Sequence, residues 1–483
     1  MKKFVSLLVV LAAAAGLAFL LAGRASGPRI EISSPTKAIG QSGELNLVID
    51  TPRGKLSSLE VLVQQGSTQL PLLSLSGAGT AALAHEGRDR VRVTHALGKH
   101  ELPQLAAGPA RIIVTAVRPV LFGLRHAQSS AERDIQVRLS PPTIAVLSSF
   151  HYINQGGSEM IVYRIAPTDA ASGVRVGDQE YPGFPVSAAQ VAGADSGLRI
   201  AFFALLWNQS PSTPMSLYAR DDVGNQSTAS FDYRVFPKSF RQSRIPIDDR
   251  FLTKVVPPIL QNTPQLAGVN AGDGSPAGLL AAFLKINNDL RRENNATIAA
   301  LGHSSAPEML WRGPFKQLVN TAVEAGFADQ RAYVYKGEVV DHQVHLGFDL
   351  ASFTHAPVLA ANRGRVVHAG WLGIYGNCVI LDHGMGLQSL YGHMSAIDVK
   401  VGDMVNEGAK LGVSGSTGLA GGDHLHFTML LDGNAVTPID WWSAQWVQDR
   451  ILRKLKETGT LEAAQPPAQP TQATAQAASP AHR

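Results

Sequence analysis

Hydrophobic and polar positions alternate over short runs in the first half of the chain, which is the pattern of strands with one buried face. Gly, Ser and Pro separate the runs, and residues 141–238 repeat the style of residues 28–140. We therefore predict a mainly β protein that begins with two β-sandwich modules, 28–140 and 141–238. The predicted strands include 29–32, 45–49, 110–114, 135–139, 160–165 and 198–202.

The second module is predicted to end in a hairpin that joins 217–220 to 230–235 through a turn over 221–225. This ending resembles the immunoglobulin-like modules of bacterial cell-surface proteins, and the resemblance implies that kind of sandwich. Neither module carries a chemical motif, and a fold alone does not imply a function. Two alternatives stay open at this point: the modules are spacers, or they bind envelope proteins.

Residues 239–305 replace the alternation by helical spacing and are predicted to form a helical connector. The clearest helix is expected over 276–301, because Ser275 is a good N-cap and Pro276 suits a first turn. We expect Pro257 and Pro258, and then 272–274, to break the chain. Residues 306–447 are predicted to form a separate domain. Residues 448–483 are predicted to contain the rest of a short helix over 446–456, which Gly459 ends, and a disordered Ala/Pro/Gln tail from 463.

The first 27 residues have the pattern of a membrane anchor. Lys2 and Lys3 precede an uncharged run over 4–23, and about 20 residues at about 1.5 Å each span the core of a bilayer. Positive charge before the run predicts that the rest of the chain is exported. We expect a single-pass anchor in the inner membrane with the body in the periplasm. A cleaved signal peptide is the alternative, although the run is long and Gly23-Arg24-Ala25 is a poor cleavage site.

Charge and cysteine content exclude several classes of protein. Lys and Arg number 42 against 38 Asp and Glu, and the excess of +4 is spread along the chain, which argues against a nucleic-acid binder. One cysteine, Cys378, excludes an intrachain disulfide and a cysteine-rich metal cluster, and we expect it to be buried. The basic residues Arg450, Arg453, Lys454 and Lys456 are predicted to form a solvated helix face.

Eight of the 15 histidines fall between His342 and His426. A strand over 424–430 would place His424, His426 and Thr428 on one face, and a strand through 345–349 would place His345 and Asp349 on one face with space at Gly347. Imidazoles with one carboxylate and no thiolate compose a catalytic zinc site. They also compose a non-haem iron site, so composition alone does not choose the metal.

Three fragments, His345-Leu346-Gly347-Phe348-Asp349, Leu390-Tyr391-Gly392-His393 and His424-Leu425-His426, occur in the order seen in the lysostaphin/LytM-type zinc endopeptidases of bacterial cell walls. The chain resembles this family over roughly 306–445, including its segments 356–358, 364–367, 399–403 and 415–418. The resemblance implies an antiparallel β-sheet domain with a groove across the sheet. It implies that His345, Asp349 and His426 hold one zinc ion (Zn2+) and that His393 and His424 are the catalytic imidazoles.

The same resemblance implies an exported zinc endopeptidase that hydrolyses peptide bonds in peptidoglycan cross-links or stems. The alternatives are a non-catalytic regulator or scaffold of other cell-wall hydrolases, and a glycan-binding envelope module. The chain has no Glu in a His-Glu-x-x-His helix, so an imidazole, which titrates near 6.5, would move the proton. Many relatives have a glutamate where this chain has Thr428, and that position is not a family ligand.

Other residues near these fragments receive structural or accessory interpretations. Tyr391 is predicted to share a strand face with His393 and to line the groove. The connector, directly upstream, is hypothesised to fold over the groove as a latch, so that truncation to about residue 306 would raise activity. The remaining histidines of the region are predicted to be surface or hydrogen-bonded residues: His342, His355, His368 and His383.

Overall fold

A computed structural model describes residues 2–76, 83–189, 195–268 and 274–458. The chain divides into two compact units, one of residues 1–143 with 219–227 and one of residues 144–218 with 228–483. Three predictions lie outside the described residues: the break at 272–273, the helix end at Gly459 and the disorder from 463 onward.

The first unit begins with helix α1 (Lys2–Ala22). Its stretch Phe4–Ala22 is long and apolar enough to cross a membrane, by length and composition, a test that a signal sequence also passes. Its large apolar side chains are exposed along its length, for example Leu8 and Leu20.

Two sheets follow α1 and enclose one core. Leu45, Leu47 and Ile49 alternate with less buried residues and are fully buried, as the sequence pattern predicts. One sheet has the order β1-β3-β7-β6 and the other the order β2-β9-β8-β4-β5. The strands are β1 (Arg29–Ser34), β2 (Ala38–Ile39), β3 (Glu44–Asp50), β4 (Ser58–Gln65), β5 (Thr68–Ser76), β6 (Leu83–His85), β7 (Arg90–Ala96), β8 (Gly108–Val120) and β9 (Arg125–Val137).

The second unit also begins with strands, and the predicted strands 160–165 and 198–202 are confirmed. They form the antiparallel pair β12 and β16, from Ser158 opposite Ala204 to Arg164 opposite Leu198. The strands between residues 143 and 236, of which 219–227 belong to the first unit, are β10 (Thr143–Val146), β11 (His151–Asn154), β12 (Ser158–Ala166), β13 (Ala171–Val176), β14 (Gln179–Pro182), β15 (Phe184–Pro185), β16 (Leu198–Ala204), β17 (Met215–Arg220), β18 (Gln226–Ala229) and β19 (Tyr233–Phe236).

The predicted second strand of the terminal hairpin, 230–235, is wrong. The carboxylate of Asp221 accepts hydrogen bonds from the backbone N–H groups of Val223 and Asn225, so the turn is complete at Asn225. The next strand is therefore β18, which starts at Gln226. Strand β19 is separate and pairs in parallel with β11.

The connector consists of β20 (Gln242–Ile247) and helices α2 (Asp249–Asn262), α3 (Pro276–Lys285) and α4 (Arg291–Gly302). The helix predicted over 276–301 is confirmed as α3, a π-helical turn over 286–290 and α4. Ser275 Oγ accepts a hydrogen bond from the N–H of Gly278 at 3.2 Å, as expected of an N-cap.

The predicted break at Pro257 and Pro258 is wrong, because α2 continues through both prolines. Each proline removes a backbone donor and would weaken an isolated helix. The inward face of α2 compensates, since its apolar side chains are buried against the rest of the unit. The buried residues of α2 are Leu252, Val255, Val256 and Ile259.

The C-terminal part is dominated by one large sheet of order β21-β24-β32-β28-β27-β26-β30, to which β33 adds next to β32. Smaller sheets have the orders β20-β22-β23 and β25-β31-β29. The strands are β21 (Ala322–Ala325), β22 (Asp329–Tyr335), β23 (Glu338–His345), β24 (Phe348–Ala351), β25 (Pro357–Leu359), β26 (Gly364–Trp371), β27 (Asn377–Gly384), β28 (Leu387–Met394), β29 (Ala396–Ile397), β30 (Met404–Val405), β31 (Lys410–Val413), β32 (Leu425–Leu431) and β33 (Asn434–Val436).

Aromatic side chains join this C-terminal part to the β12–β16 region. The ring of Trp441 lies 5.8 Å from that of Phe202 and 5.7 Å from that of Trp311. Trp441 is fully buried, so these contacts form a core and not a surface patch. The part of the second predicted module that lies in this unit is therefore held against the C-terminal domain.

The chain ends with α5 (Pro438–Trp442), α6 (Ala444–Val447), a π-helical turn over 448–452 and α7 (Arg453–Glu457). The prediction of a wholly solvated basic face is wrong for Lys454, which is 1% exposed. Its Nζ lies 2.8 Å from the Glu159 carboxylate, which is itself fully buried. A buried carboxylate requires a partner of opposite charge, and Lys454 supplies it.

Candidate metal centre and active site

Three side chains meet on one face of the large sheet. Nε2 of His345 lies 2.9 Å from Oδ1 of Asp349, and Nδ1 of His426 lies 3.0 Å from the same oxygen. The two nitrogens are 3.0 Å apart, and each of the three residues is at most 8% exposed. All three potential ligand atoms lie within 4.8 Å of one another. Two imidazole nitrogens and a carboxylate oxygen in this arrangement can hold a divalent metal ion.

The strand predicted through 345–349 is wrong, although its two end residues do meet. His345 ends β23 in one sheet, and Asp349 lies in β24 of another, directly opposite His426 on β32. A Cβ at Gly347 would lie 2.5 Å from Oγ1 of Thr428 and 2.6 Å from Nε2 of His426. The space at Gly347 therefore admits the His426 ring and Thr428, as a close backbone approach.

Hydrogen bonds on the outer side of the cluster fix the tautomers of both histidines. Nδ1 of His345 lies 3.0 Å from the carbonyl of Gly326, which can only accept, so Nδ1 carries the proton. Thr428 donates its hydroxyl proton to the carbonyl of Leu346 at 3.0 Å, so its oxygen accepts from Nε2 of His426 at 2.9 Å. The inner nitrogens are thus left with free lone pairs, as metal ligands require.

Asp349 stays ionised although it is buried. Burial alone would raise the pKa of its carboxyl, but the adjacent imidazoles, that of His345 foremost, hold that pKa well below its usual value. Its second oxygen accepts a hydrogen bond from Arg331 at 3.1 Å, and Arg331 also pairs with Asp329 at 3.3 Å. Burial lowers the pKa of His426 to about 4, so this imidazole is neutral at pH 7.

His393 reaches this face through an unusual backbone conformation. In β28, Gly392 is opposite His426 and Tyr391 is opposite Phe427, so strict alternation would turn His393 away from His426. A φ of 63° at His393 breaks the alternation. Its ring lies 5.7 Å from that of His426 and 4.9 Å from that of His424, and its Nδ1 lies 2.8 Å from the carbonyl of Thr417.

The prediction that Tyr391 shares the face of His393 and lines the groove is wrong. Its hydroxyl accepts a hydrogen bond from the N–H of Ala361 at 2.8 Å, and its ring packs 5.4 Å from Phe427 on the core side. The aromatic residue that does lie beside the cluster is Tyr375, with its ring 5.4 Å from that of His426. Sequence reasoning missed Tyr375, because it lies in the turn 373–376, which carries no recognisable motif.

His424 differs from His393 in its proton affinity. Burial lowers the pKa of His424, but the hydrogen bond and charge of Asp349 raise it further, so the net shift is upward. Burial and the neighbouring imidazoles hold the pKa of His393 well below its usual value. Two neighbouring imidazoles whose pKa values are shifted in opposite directions can serve as the acid and the base of a hydrolysis.

The cluster opens into a cavity of about 460 Å³. One side of its wall belongs to the connector, through Ile245, Phe251 and Arg291. Arg331 also lines it, a residue that sequence reasoning missed because it lies in β22, outside all three fragments. The sequence-predicted residues that line this cavity are His345, Asp349, His393, His424 and His426.

The remaining predictions around the cluster concern structural residues. Cys378 is fully buried, as expected. His342 and His355 are exposed, and His368 is partly buried. His383 is fully buried, with Nδ1 2.8 Å from the carbonyl of Arg363 and Nε2 2.7 Å from the hydroxyl of Ser389.

The sequence around this site is similar to proteins of a known family. A model of Peptidase family M23 matches residues 343–438. The DD-carboxypeptidase/endopeptidase Mpg of Neisseria meningitidis is 37% identical over 97 residues, which are 20% of this chain and 22% of that protein. The murein hydrolase activator EnvC of Escherichia coli is 40% identical over 84 residues, or 17% of this chain and 20% of that protein.

A solved structure is also similar. The catalytic domain of lysostaphin from Staphylococcus simulans is 32% identical, with a TM-score of 0.23, over 26% of this chain and 92% of that one. The family model alone identifies residues 343–438 as a Peptidase family M23 domain. The chain spans about a fifth of the length of the curated relatives named here.

Proposed function

We propose that the protein is a zinc-dependent endopeptidase that hydrolyses peptide bonds in peptidoglycan cross-links or stems. The observation that carries the proposal is the convergence of His345, Asp349 and His426, whose ligand atoms lie within 4.8 Å of one another in a domain of this family. Two nitrogen ligands and one carboxylate, with both histidine tautomers fixed from outside, fit zinc.

In this proposal zinc, when bound, polarises the scissile carbonyl and lowers the pKa of water to about 7. His424 and His393 lie next to the ligands, where they transfer the proton and stabilise the developing negative charge. The carbonyl of Thr417 accepts a hydrogen bond from Nδ1 of His393, so Nδ1 is protonated and Nε2 is free to accept a proton.

The location and partners are part of the same proposal. Helix α1 would anchor the chain in the inner membrane as a single pass, with the body in the periplasm, where peptidoglycan lies. The names of Mpg, an endopeptidase, and EnvC, a murein hydrolase activator, support the substrate class. The β-strand modules upstream are proposed contact surfaces for envelope proteins.

The test is incubation of the full chain, purified in detergent, with isolated sacculi, with and without a zinc chelator. Released fragments are identified by mass spectrometry. We expect chelator-sensitive loss of cross-linked fragments, abolished by His426→Ala and retained by His342→Ala, a matched change at an exposed histidine. Cleavage by the folded His426→Ala variant would overturn the assignment.

The similarity to EnvC supports a second candidate, a regulator or scaffold of other hydrolases. The same experiment separates the two functions when the zinc content of the protein is measured alongside. An intact fold with neither zinc nor cleavage would establish the regulator. Saturable binding to sacculi without new fragments would establish the glycan-binding module instead.

A further inference from the structure

The tip of the β8–β9 hairpin exposes large apolar side chains to an unusual degree. Phe122 is 104% exposed and Leu124 is 72% exposed. Strand β4 pairs with β8 only as far as Val117, whereas β8 and β9 pair on to Val120 and Arg125. Residues 118–125 therefore project beyond the five-stranded sheet as a two-stranded arm with an apolar end.

The backbone of the tip holds these side chains outward. Leu121 and Phe122 have φ values of 49° and 57°, in the left-handed region that bulky residues rarely adopt. Gly123 follows at 90°, where only glycine is at ease. Among the described residues of the first unit, none covers the ring of Phe122 or most of the Leu124 side chain, so the strained turn exposes apolar side chains and does not fill a core.

The arm is attached to α1 inside the first unit. Arg125 donates a hydrogen bond to the carbonyl of Phe19 at 2.9 Å, and its guanidinium lies 4.5 Å from the centre of the Phe19 ring. Arg118, on the opposite strand of the arm, donates to the carbonyl of Ser26 at 2.8 Å. Two basic residues thus hold the arm against the C-terminal end of the apolar helix.

This attachment fixes the depth of the tip. Phe19 lies three residues before the end of α1 at Ala22, or about 4.5 Å along the axis. If Phe4–Ala22 spans the hydrocarbon, Phe19 lies just inside its outer boundary, and so does the arm beside it. Arginines flanking an apolar tip match that boundary, because their guanidinium groups reach the lipid phosphates while the apolar side chains enter the acyl region.

We propose that the hairpin tip, residues 118–125, inserts into the outer leaflet of the bilayer that α1 crosses. The ligand is the phospholipid surface, with Phe122 and Leu124 in the acyl region and Arg118 and Arg125 at the headgroups. The tip and α1 then form a two-point attachment that limits rotation of the first unit about the helix axis. This proposal rests on the membrane placement of α1 proposed above and is independent of the peptidase assignment.

The test uses site-directed spin labels on the full chain, reconstituted in vesicles of phosphatidylethanolamine and phosphatidylglycerol. Native Cys378 is fully buried, so the label goes to an introduced cysteine. The labelled variants are Leu124→Cys at the tip, Ser67→Cys in the exposed β4–β5 turn of the same unit, and Ala12→Cys in the middle of α1. Collision rates with oxygen, which partitions into lipid, and with a water-soluble nickel chelate locate each label.

We expect the Leu124 label to collide several-fold less with the nickel chelate, and several-fold more with oxygen, than the Ser67 label. Adding Phe122→Asp should return the Leu124 label toward water, whereas Phe353→Asp, a matched change at another exposed Phe, should leave it in lipid. A Leu124 label in water beside an Ala12 label in lipid overturns this proposal alone. An Ala12 label in water overturns it together with the anchor. A Leu124 label shielded from both reagents shows a protein partner at the tip and overturns the lipid proposal.

Discussion

Oγ1 of Thr428 lies 2.9 Å from Nε2 of His426 while its own proton goes to the carbonyl of Leu346. The hydroxyl therefore fixes His426 in the tautomer whose Nδ1 faces His345 and Asp349. Sequence reasoning set Thr428 aside as a position that is not a ligand. In the proposed zinc site Thr428 is the outer partner of a ligand, which has physical consequences for metal affinity.

Thr428→Val is expected to weaken zinc binding by about 10–100-fold, the usual effect of losing an outer partner of a metal ligand. Valine has nearly the shape of threonine but cannot accept from Nε2 of His426. The measurement is a zinc titration against a competing chromophoric chelator. Thr428→Ser keeps the hydroxyl and should stay close to the unchanged protein. Equal affinities for the Val and Ser variants would contradict the assignment.

Substitutions at His393 and at His426 should affect catalysis and metal binding differently. His393→Ala removes a ring that packs 5.7 Å from His426 but is outside the ligand triplet, so zinc content should persist while cleavage of sacculi falls by about 10²–10⁴-fold. His426→Ala should lose both. Zinc content is read by mass spectrometry of the metal and cleavage by fragment analysis. Loss of zinc in the His393 variant would make it a ligand.

The sequence predicted which residues form the site better than it predicted the backbone that positions them. The family resemblance implied that His345, Asp349 and His426 lie together, because it depends on the order of short motifs and not on the local structure between them. The face of Tyr391 was wrong, since period-two alternation assumes an unbroken extended strand. The φ of 63° at His393 violates that assumption, and no residue type signals it.

The fold was predictable where local pattern decides and unpredictable where distant partners do. Alternation located β3 and β12, and spacing located α3 and α4. The prolines at 257 and 258 and the burial of Lys454 depend instead on tertiary packing. A lysine in a basic helix is ordinarily solvated, and only the buried Glu159 reverses that expectation.

Lys454→Met is expected to destabilise the protein by up to about 3–5 kcal/mol, because the buried carboxylate of Glu159 loses its partner at 2.8 Å and keeps only the weaker pairing with Arg450, whose Nε lies 3.9 Å away. The double variant Glu159→Gln with Lys454→Met should recover much of that loss. Urea unfolding at pH 7 measures the free energies. Lys456→Met, on the exposed face of α7, is the matched control and should change stability little. A single variant as stable as this control would contradict the prediction.

The stability of the protein should carry a pH dependence from His383. Burial lowers the pKa of this imidazole to about 4, below the value of about 6.5 in the unfolded chain. As pH falls from 6.5 toward 4, the imidazole of His383 binds a proton in the unfolded chain but not in the folded chain. Stability is therefore lost on acidification. The contribution is at most about 3 kcal/mol, at about 1.36 kcal/mol per pH unit.

The measurement is urea unfolding of the unchanged protein and of His383→Gln, both without metal, between pH 7.5 and pH 4. Glutamine does not titrate, so the difference in unfolding free energy between the two proteins should shrink as pH falls. Subtracting the variant cancels the titration of the site histidines. A difference that is constant across this range would show that His383 takes no part.

Truncation to about residue 306 should destroy the domain and not activate it. Strand β20 of the connector pairs with β22 along its whole length, from Gln242 opposite Gln330 to Ile247 opposite Tyr335. Eleven of the 14 buried residues in the core cluster around α2 and α3 belong to the connector, and Tyr333, Tyr335 and Ile374 are left without cover when it is removed. Burying one such side chain contributes about 1.5–3 kcal/mol, so exposing these three costs about 4.5–9 kcal/mol, which is comparable to the net stability of about 5–15 kcal/mol of a typical domain. We expect an aggregated or unfolded product by circular dichroism, with no cleavage of sacculi. A soluble truncated protein that cleaves faster than the full chain would instead establish the connector as a removable latch over the cavity that Ile245 and Phe251 line.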